Sequence, residues 1–137
     1  MTELHFTTLF PLSTLAIILA VLVYFGLGFV AAKARVTWNV PAPMPSGHVE
    51  YDKRFRVHMN TLEQLALFLP AMFLAAPVLG DAIAGGLGLV WSIGRLVYAR
   101  AYYADAAKRG PGFGLTFLPT LVLLVSAAYA AVRALIG

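Results

Sequence analysis

At 137 residues, the chain is long enough for one compact unit and too short for two domains. With 61% hydrophobic residues and a mean hydropathy of +0.82, against about 45–50% apolar in soluble domains, it reads as an integral membrane protein. It contains no cysteine, so disulfides and a protein thiol acting as nucleophile or metal ligand are excluded, and its formal charge of +4 sits at the ends of apolar runs, where it sets topology rather than binding nucleic acid.

Residues 7–32 carry no charge, and about 20 apolar residues cross a bilayer as helix, so this stretch predicts the first span. It lacks a basic leader and an A-x-A site ahead of a soluble body, so it is read as retained. Lys33 and Arg35 follow. Next comes Asn39-Val-Pro-Ala-Pro-Met-Pro-Ser-Gly47, whose alternate prolines predict a loop. A second span is expected over 51–76. It has a charged entry (Glu50, Asp52, Lys53, Arg54, Arg56) and a kink at Pro70. Pro77 to Asp81 reads as a tight turn.

The third span is expected over 83–107. Gly85, Gly86 and Gly88 permit close helix contact in its first half, and Lys108-Arg109-Gly-Pro-Gly112 stands in stop positions. The fourth span is expected over 113–135, with Pro119 inside it and Arg133 at its far end. The expected fold is thus an all-α membrane protein, residues 1–137 forming a single antiparallel four-transmembrane-helix bundle. Lys33, Arg35, Lys53, Arg54, Arg56, Arg100, Lys108 and Arg109 lie on the side of the 1–2 and 3–4 connections, against Arg133 on the other. That asymmetry puts both connections in the cytoplasm and both termini outside. The terse, alanine-rich chain suggests a bacterial inner (cell) membrane.

Arg56, Asn60 and Glu63 fall at i, i+4 and i+7 on the second span, hence on one helix face. On the third, Arg95, Tyr98, Tyr102, Asp105 and Arg109 form a stripe at i, i+3, i+7, i+10 and i+14. With the turn at 77–81 as a centre of symmetry, Glu63 stands level with Arg95, Asn60 with Tyr98, Arg56 with Tyr102, and Lys53 with Asp105. Glu63 and Arg95 are the deepest, roughly 20 Å from the Arg109 end at about 1.5 Å per residue. Opposite charges at one depth predict that the two pair or share a ligand. The symmetry leaves open whether the facing helices belong to one chain or to neighbours.

Ionisable groups at membrane depth cost several kcal/mol and are functional candidates by default. The alternative, a polar cluster that glues helices together, suits a lone Asn or Tyr better than two matched stripes. Surplus positive charge from Arg56, Arg95 and Arg109 suits a small multiply charged anion, since arginine forks match carboxylates. An amine on that anion would pair with Glu63 or Asp105.

Arg56-x3-Asn60-x2-Glu63 resembles the signature of the MAPEG family, the membrane-associated proteins of eicosanoid and glutathione metabolism. Gly94-Arg95-Leu-Val-Tyr98-Ala-Arg-Ala-Tyr102 is similar to its second signature. The likeness covers essentially the whole chain. It implies a homotrimer in the bilayer with glutathione bound as co-substrate between adjacent subunits, held by Arg56, Asn60, Glu63, Arg95, Tyr98 and Tyr102. Arg109 stands where the leukotriene-C4-synthase branch has its thiol-activating arginine, and Arg35 corresponds to a second basic residue near the sulfur. His58 matches a histidine of the prostaglandin-synthase branch but lies off the ligand face, where it is expected to pack against a neighbour. Lys53 and Arg54 are read as interfacial charges.

The implied activity is that of a glutathione transferase, with peroxidase activity as an extension, acting on a lipophilic electrophile or hydroperoxide in a detoxification role. Two other readings stand beside it. A non-enzymatic lipid-binding accessory protein of this fold need not keep the arginines and Glu63. A transporter or proton path would need ionisable residues in the outer halves of the second and third spans, and Phe68–Ala76 and Ile83–Val90 have none.

Overall fold

The computed structural model describes residues 3–137. A short helix, α1 (Phe6–Leu9), precedes four long ones: α2 (Pro11–Thr37), α3 (Val49–Leu79), α4 (Asp81–Ala104) and α5 (Gly110–Ile136). A 3-10 turn at Ala106–Arg109 separates the last two. All four long helices are long and apolar enough to cross a membrane.

Contacts at both ends fix the antiparallel order. At one end the Asp81 carboxylate, opening α4, accepts hydrogen bonds from the backbone N–H of Leu12 (2.9 Å) and Ser13 (2.7 Å). It satisfies two of the free amides that begin α2, as an N-cap does from within a helix. At the other end, Arg35 near the close of α2 donates to the Val40, Pro41 and Met44 carbonyls and to the Tyr51 hydroxyl in α3. One guanidinium thereby ties down the proline-rich connection.

Helix α4 packs against α2, α3 and α5, and it can do so because its contact face is small. A Cβ on Gly88 would lie 2.7 Å from that of Ala16, and one on Gly94 would lie 2.7 Å from that of Leu115. Between α3 and α4 the rings of Phe68 and Trp91 stack with centroids 4.6 Å apart, and Met72 fills the same fully buried layer. Lipid is as apolar as these side chains, so close packing rather than the hydrophobic effect holds this interface.

Two turns differ from expectation. Pro77 lies inside α3, which runs to Leu79. The chain reverses at Gly80, whose φ of 87° is a glycine conformation. So close to the helix end, Pro77 forfeits only its own bond to the carbonyl four residues back. At the other turn, Gly110-Pro111-Gly112 does not stop the third span; it opens α5, with Pro in the first turn, where its missing N–H removes no hydrogen bond. The third span ends earlier, at Ala104, where Asp105 turns extended (φ −158°, ψ 116°) and its carboxylate caps Ala107 N–H at 3.0 Å.

Candidate functional site

Helix α3 presents Asn60, Glu63 and Gln64, at i, i+3 and i+4, to the face of α4 that carries Arg95 and Tyr98. The 3-10 turn brings in Arg109, and the start of α5 brings in Phe113. Together these residues line a cavity of about 220 Å³. With Arg95 and Arg109 against Glu63, the lining carries one net positive charge.

The cavity is braced from α3 to α4. Asn60 Nδ2 donates to the Tyr98 hydroxyl at 2.7 Å, joining the two residues that the turn symmetry sets level. Arg95 is 0% exposed. Its Nη2 donates to Thr61 Oγ1 at 3.1 Å, and its guanidinium carbon lies 4.0 Å from the centroid of the Tyr98 ring. Thr61 in turn donates to the Val57 carbonyl at 2.7 Å. Two buried atoms of the lining, Arg95 Nε and Gln64 Oε1, have no hydrogen-bond partner among the described residues. Buried polar atoms are satisfied in the great majority of cases, so this pair needs an explanation.

The expected pairing of Glu63 with Arg95 does not occur. Among the described residues the ion pairs are Glu3–His5, Glu50–Lys53 and Glu50–Arg54. Glu63 is exposed at the cavity edge, whereas Arg95 turns inward to Thr61 and Tyr98. Equal depth fixes the height of two residues, not their rotation about the helix axes. The two nonetheless border one cavity, so a ligand can bridge them.

The remaining predicted residues divide. Tyr102 is half-buried, its ring centroid 5.7 Å from that of Tyr98, and the Arg109 guanidinium lies 5.9 Å over the same Tyr102 ring. Arg56 is exposed, one turn along α3 from Asn60. Asp105 leaves the stripe because α4 ends before it, and its expected neighbour Lys53 instead contacts the Tyr103 carbonyl at 3.3 Å and Glu50 at 3.4 Å. The early helix end also moves Arg109. On a continuous helix it would stand roughly 20 Å from Arg95. The 3-10 turn folds it back so that both arginines border the same cavity. Arg35, held by the 1–2 connection, is not brought to this cavity within one chain. His58 stacks on Tyr24 with centroids 4.5 Å apart and lies against Gly28.

Three residues of the site went unread in the sequence: Thr61, Gln64 and Phe113. Gln64 follows Glu63 and sits four residues after Asn60, so its spacing carried the signal. Thr61 and Phe113 are residue types common in any span.

Residues 13–129 match the sequence pattern of the MAPEG family. The chain is 41% identical over 109 residues to an uncharacterized protein of Synechocystis sp., covering 80% of each chain. It is 35% identical over 101 residues to microsomal glutathione S-transferase 2 of Homo sapiens, covering 74% of this chain and 67% of that protein. To leukotriene C4 synthase of Rattus norvegicus it is 33% identical over 86 residues, covering 63% of this chain and 56% of that protein. The matched segment holds every residue of the cavity between α3, α4 and α5, and the chain belongs to the MAPEG family.

Proposed function

We propose that the protein is a membrane-embedded glutathione transferase, in which this cavity holds the tripeptide and Arg109 activates its thiol. The single observation that carries the reading is the lining itself. Two arginines and one carboxylate converge on a small cavity between the apolar helices, and buried Arg95 Nε and Gln64 Oε1 lack partners among the described residues. Glutathione supplies carboxylates for arginine, an amine for Glu63, and amide groups for Asn60 and Gln64. Relatives named as a glutathione transferase and a leukotriene synthase point to the same class of ligand.

The chemistry follows from electrostatics. A free thiol with a pKa near 8.5 is mostly protonated at neutral pH, and the thiolate is the nucleophile. A guanidinium facing the sulfur stabilises the anion. Lowering the pKa by about one to two units corresponds to about 1.4–2.7 kcal/mol. The sulfur then attacks an electrophilic carbon of a lipophilic acceptor from the bilayer, forming a thioether as the leaving group departs with the bonding pair. With a hydroperoxide, the sulfur takes the terminal oxygen, releasing the alcohol, and a second glutathione completes the disulfide and water. A site of this kind lets a water-soluble thiol meet a membrane-soluble acceptor, consistent with a detoxification role.

Arg56 and Glu63 are exposed on a membrane-spanning helix of a single chain. Facing lipid, each would cost several kcal/mol. A homotrimer in which a neighbouring copy covers them removes that cost and closes the site. Arg35 would act on the sulfur only across such a boundary; within its own chain it holds the connection after α2. The excess of basic residues at the 1–2 and 3–4 connections supports a cytoplasmic opening, with both termini on the far side of a bacterial inner membrane.

Conjugation of glutathione to a chlorinated nitroaromatic by the purified protein tests the reading. Turnover that disappears in Arg109→Ala, with glutathione affinity retained, is the expected result. An absence of calorimetric glutathione binding in the wild type would shift the reading to a lipid-binding accessory protein of the same fold.

A further inference from the structure

A second charged cavity lies between the end of α2 and the start of α3. It measures about 350 Å³ and is lined by Val30, Lys33, Ala34, Thr37, Trp38 and Arg54. It shares no residue with the cavity of the proposed transferase site. Lys33 and Arg35 are two residues apart, so they project about 200° apart around α2; Lys33 lines the cavity, whereas Arg35 secures the loop.

The cavity has a charged floor and an apolar side. The Arg54 guanidinium is sandwiched between aromatic rings, 5.1 Å from Trp38 and 4.8 Å from Tyr103. It also donates to the Glu50 carboxylate at 2.8 Å. This fixes the planar fork before any ligand arrives, so little rotamer entropy remains to be lost on binding. Glu50 is shared with Lys53 at 3.4 Å, so one carboxylate faces two cations. Lys33 is exposed and has no ion-pair partner among the described residues. The local excess is therefore two positive charges beside a tryptophan, with Val30 and Ala34 leading from the charged floor along the apolar length of α2.

We propose that this cavity is a binding site for a phosphate anion carried by a membrane lipid. Lys33 meets the phosphate, beside a Thr37 hydroxyl that donates to the Lys33 carbonyl at 2.9 Å, Trp38 lies at headgroup level, and the acyl chains follow the Val30 side of α2. A tryptophan beside basic residues at a span end matches the headgroup layer in depth, and each lysine or arginine near an anionic lipid contributes about 1 kcal/mol. A charge placed only to orient the span would need neither a cavity nor an immobilised guanidinium beside it.

Native mass spectrometry of the purified protein, titrated separately with phosphatidylglycerol, phosphatidylcholine and glycerol phosphate, tests this. The site predicts preferential retention of phosphatidylglycerol over phosphatidylcholine. Lys33→Gln should weaken that retention about fivefold, Lys33→Arg should preserve it, and glutathione affinity should be equal in both variants and the wild type. Equal retention of the two lipids, or an unchanged preference in Lys33→Gln, would overturn the proposal. So would displacement of the lipid by an equal concentration of glycerol phosphate, which would identify a site for a soluble anion instead.

Discussion

The guanidinium of Arg95 lies 4.0 Å over the ring of Tyr98 and has no carboxylate partner among the described residues. A buried cation is ordinarily paired, because leaving it alone in low dielectric is costly. Here the π face of Tyr98 and the Thr61 hydroxyl offset part of that cost, and an anionic ligand would offset the rest.

This arrangement distinguishes two outcomes for Arg95→Met. If the arginine were half of a structural ion pair, its removal would strand a buried carboxylate and cost about 3–5 kcal/mol. With no such partner, the variant should keep its thermal midpoint within a few degrees and lose at least about tenfold in glutathione affinity. Thermal unfolding and calorimetry on the same preparation measure both quantities.

The bond between Asn60 and Tyr98 ties α3 to α4 at the cavity, beside the bond from Arg95 to Thr61. Interhelical hydrogen bonds in membranes are worth about 0.6–1.7 kcal/mol. Tyr98→Phe should therefore cost the fold no more than that. It also leaves the Asn60 amide free to turn from the cavity, so glutathione binding should weaken by about threefold to twentyfold in a titration.

Gly112 sets how closely α5 approaches α4. A Cβ there would lie 2.4 Å from the Tyr98 backbone nitrogen and 2.5 Å from its Cα. Backbone cannot step aside as a flexible side chain can, so Gly112→Ala should destabilise the bundle by about 1–3 kcal/mol. Because Arg109 stands three residues before it, turnover should fall more than glutathione affinity. Equal activity and stability in Gly112→Ala would mean that the α4–α5 contact is looser than this geometry.

Asp81 caps α2 from the start of α4, at the far end of the bundle from the polar cavity. Asp81→Ala should lower stability by about 0.5–2 kcal/mol, the usual value of an N-cap. Glutathione affinity and turnover should stay as in the wild type, as measured by denaturation and steady-state assay.

Much of this was legible because membrane helices obey few rules. Long, largely apolar runs mark the spans, and the symmetry about the 77–81 turn set Asn60 level with Tyr98. The failures share a cause: spacing gives height along a helix but neither its rotation nor its end. Glu63 and Arg95 are level, yet Arg95 turns inward to Thr61 and Tyr98 while Glu63 is exposed. Asp105 and Arg109 continue the period of Arg95 and Tyr98, but the backbone leaves the helix at Asp105, and this break is what returns Arg109 to the cavity. Gly110-Pro111 suits a helix start as well as a stop, since proline fits the first turn. The Asp81 cap on α2 joins residues far apart in the chain, and no local pattern announces it.

The role proposed for Arg109 is to sharpen the sulfur of a bound thiol. Ultraviolet titration of the thiolate, with glutathione saturating the wild-type protein and then Arg109→Ala, tests it directly. The expected bound-thiol pKa lies about one to two units below the solution value near 8.5 in the wild type and returns toward that value in the variant while binding persists. A wild-type thiol titrating as it does in water, or one equally acidified in Arg109→Ala, would contradict it.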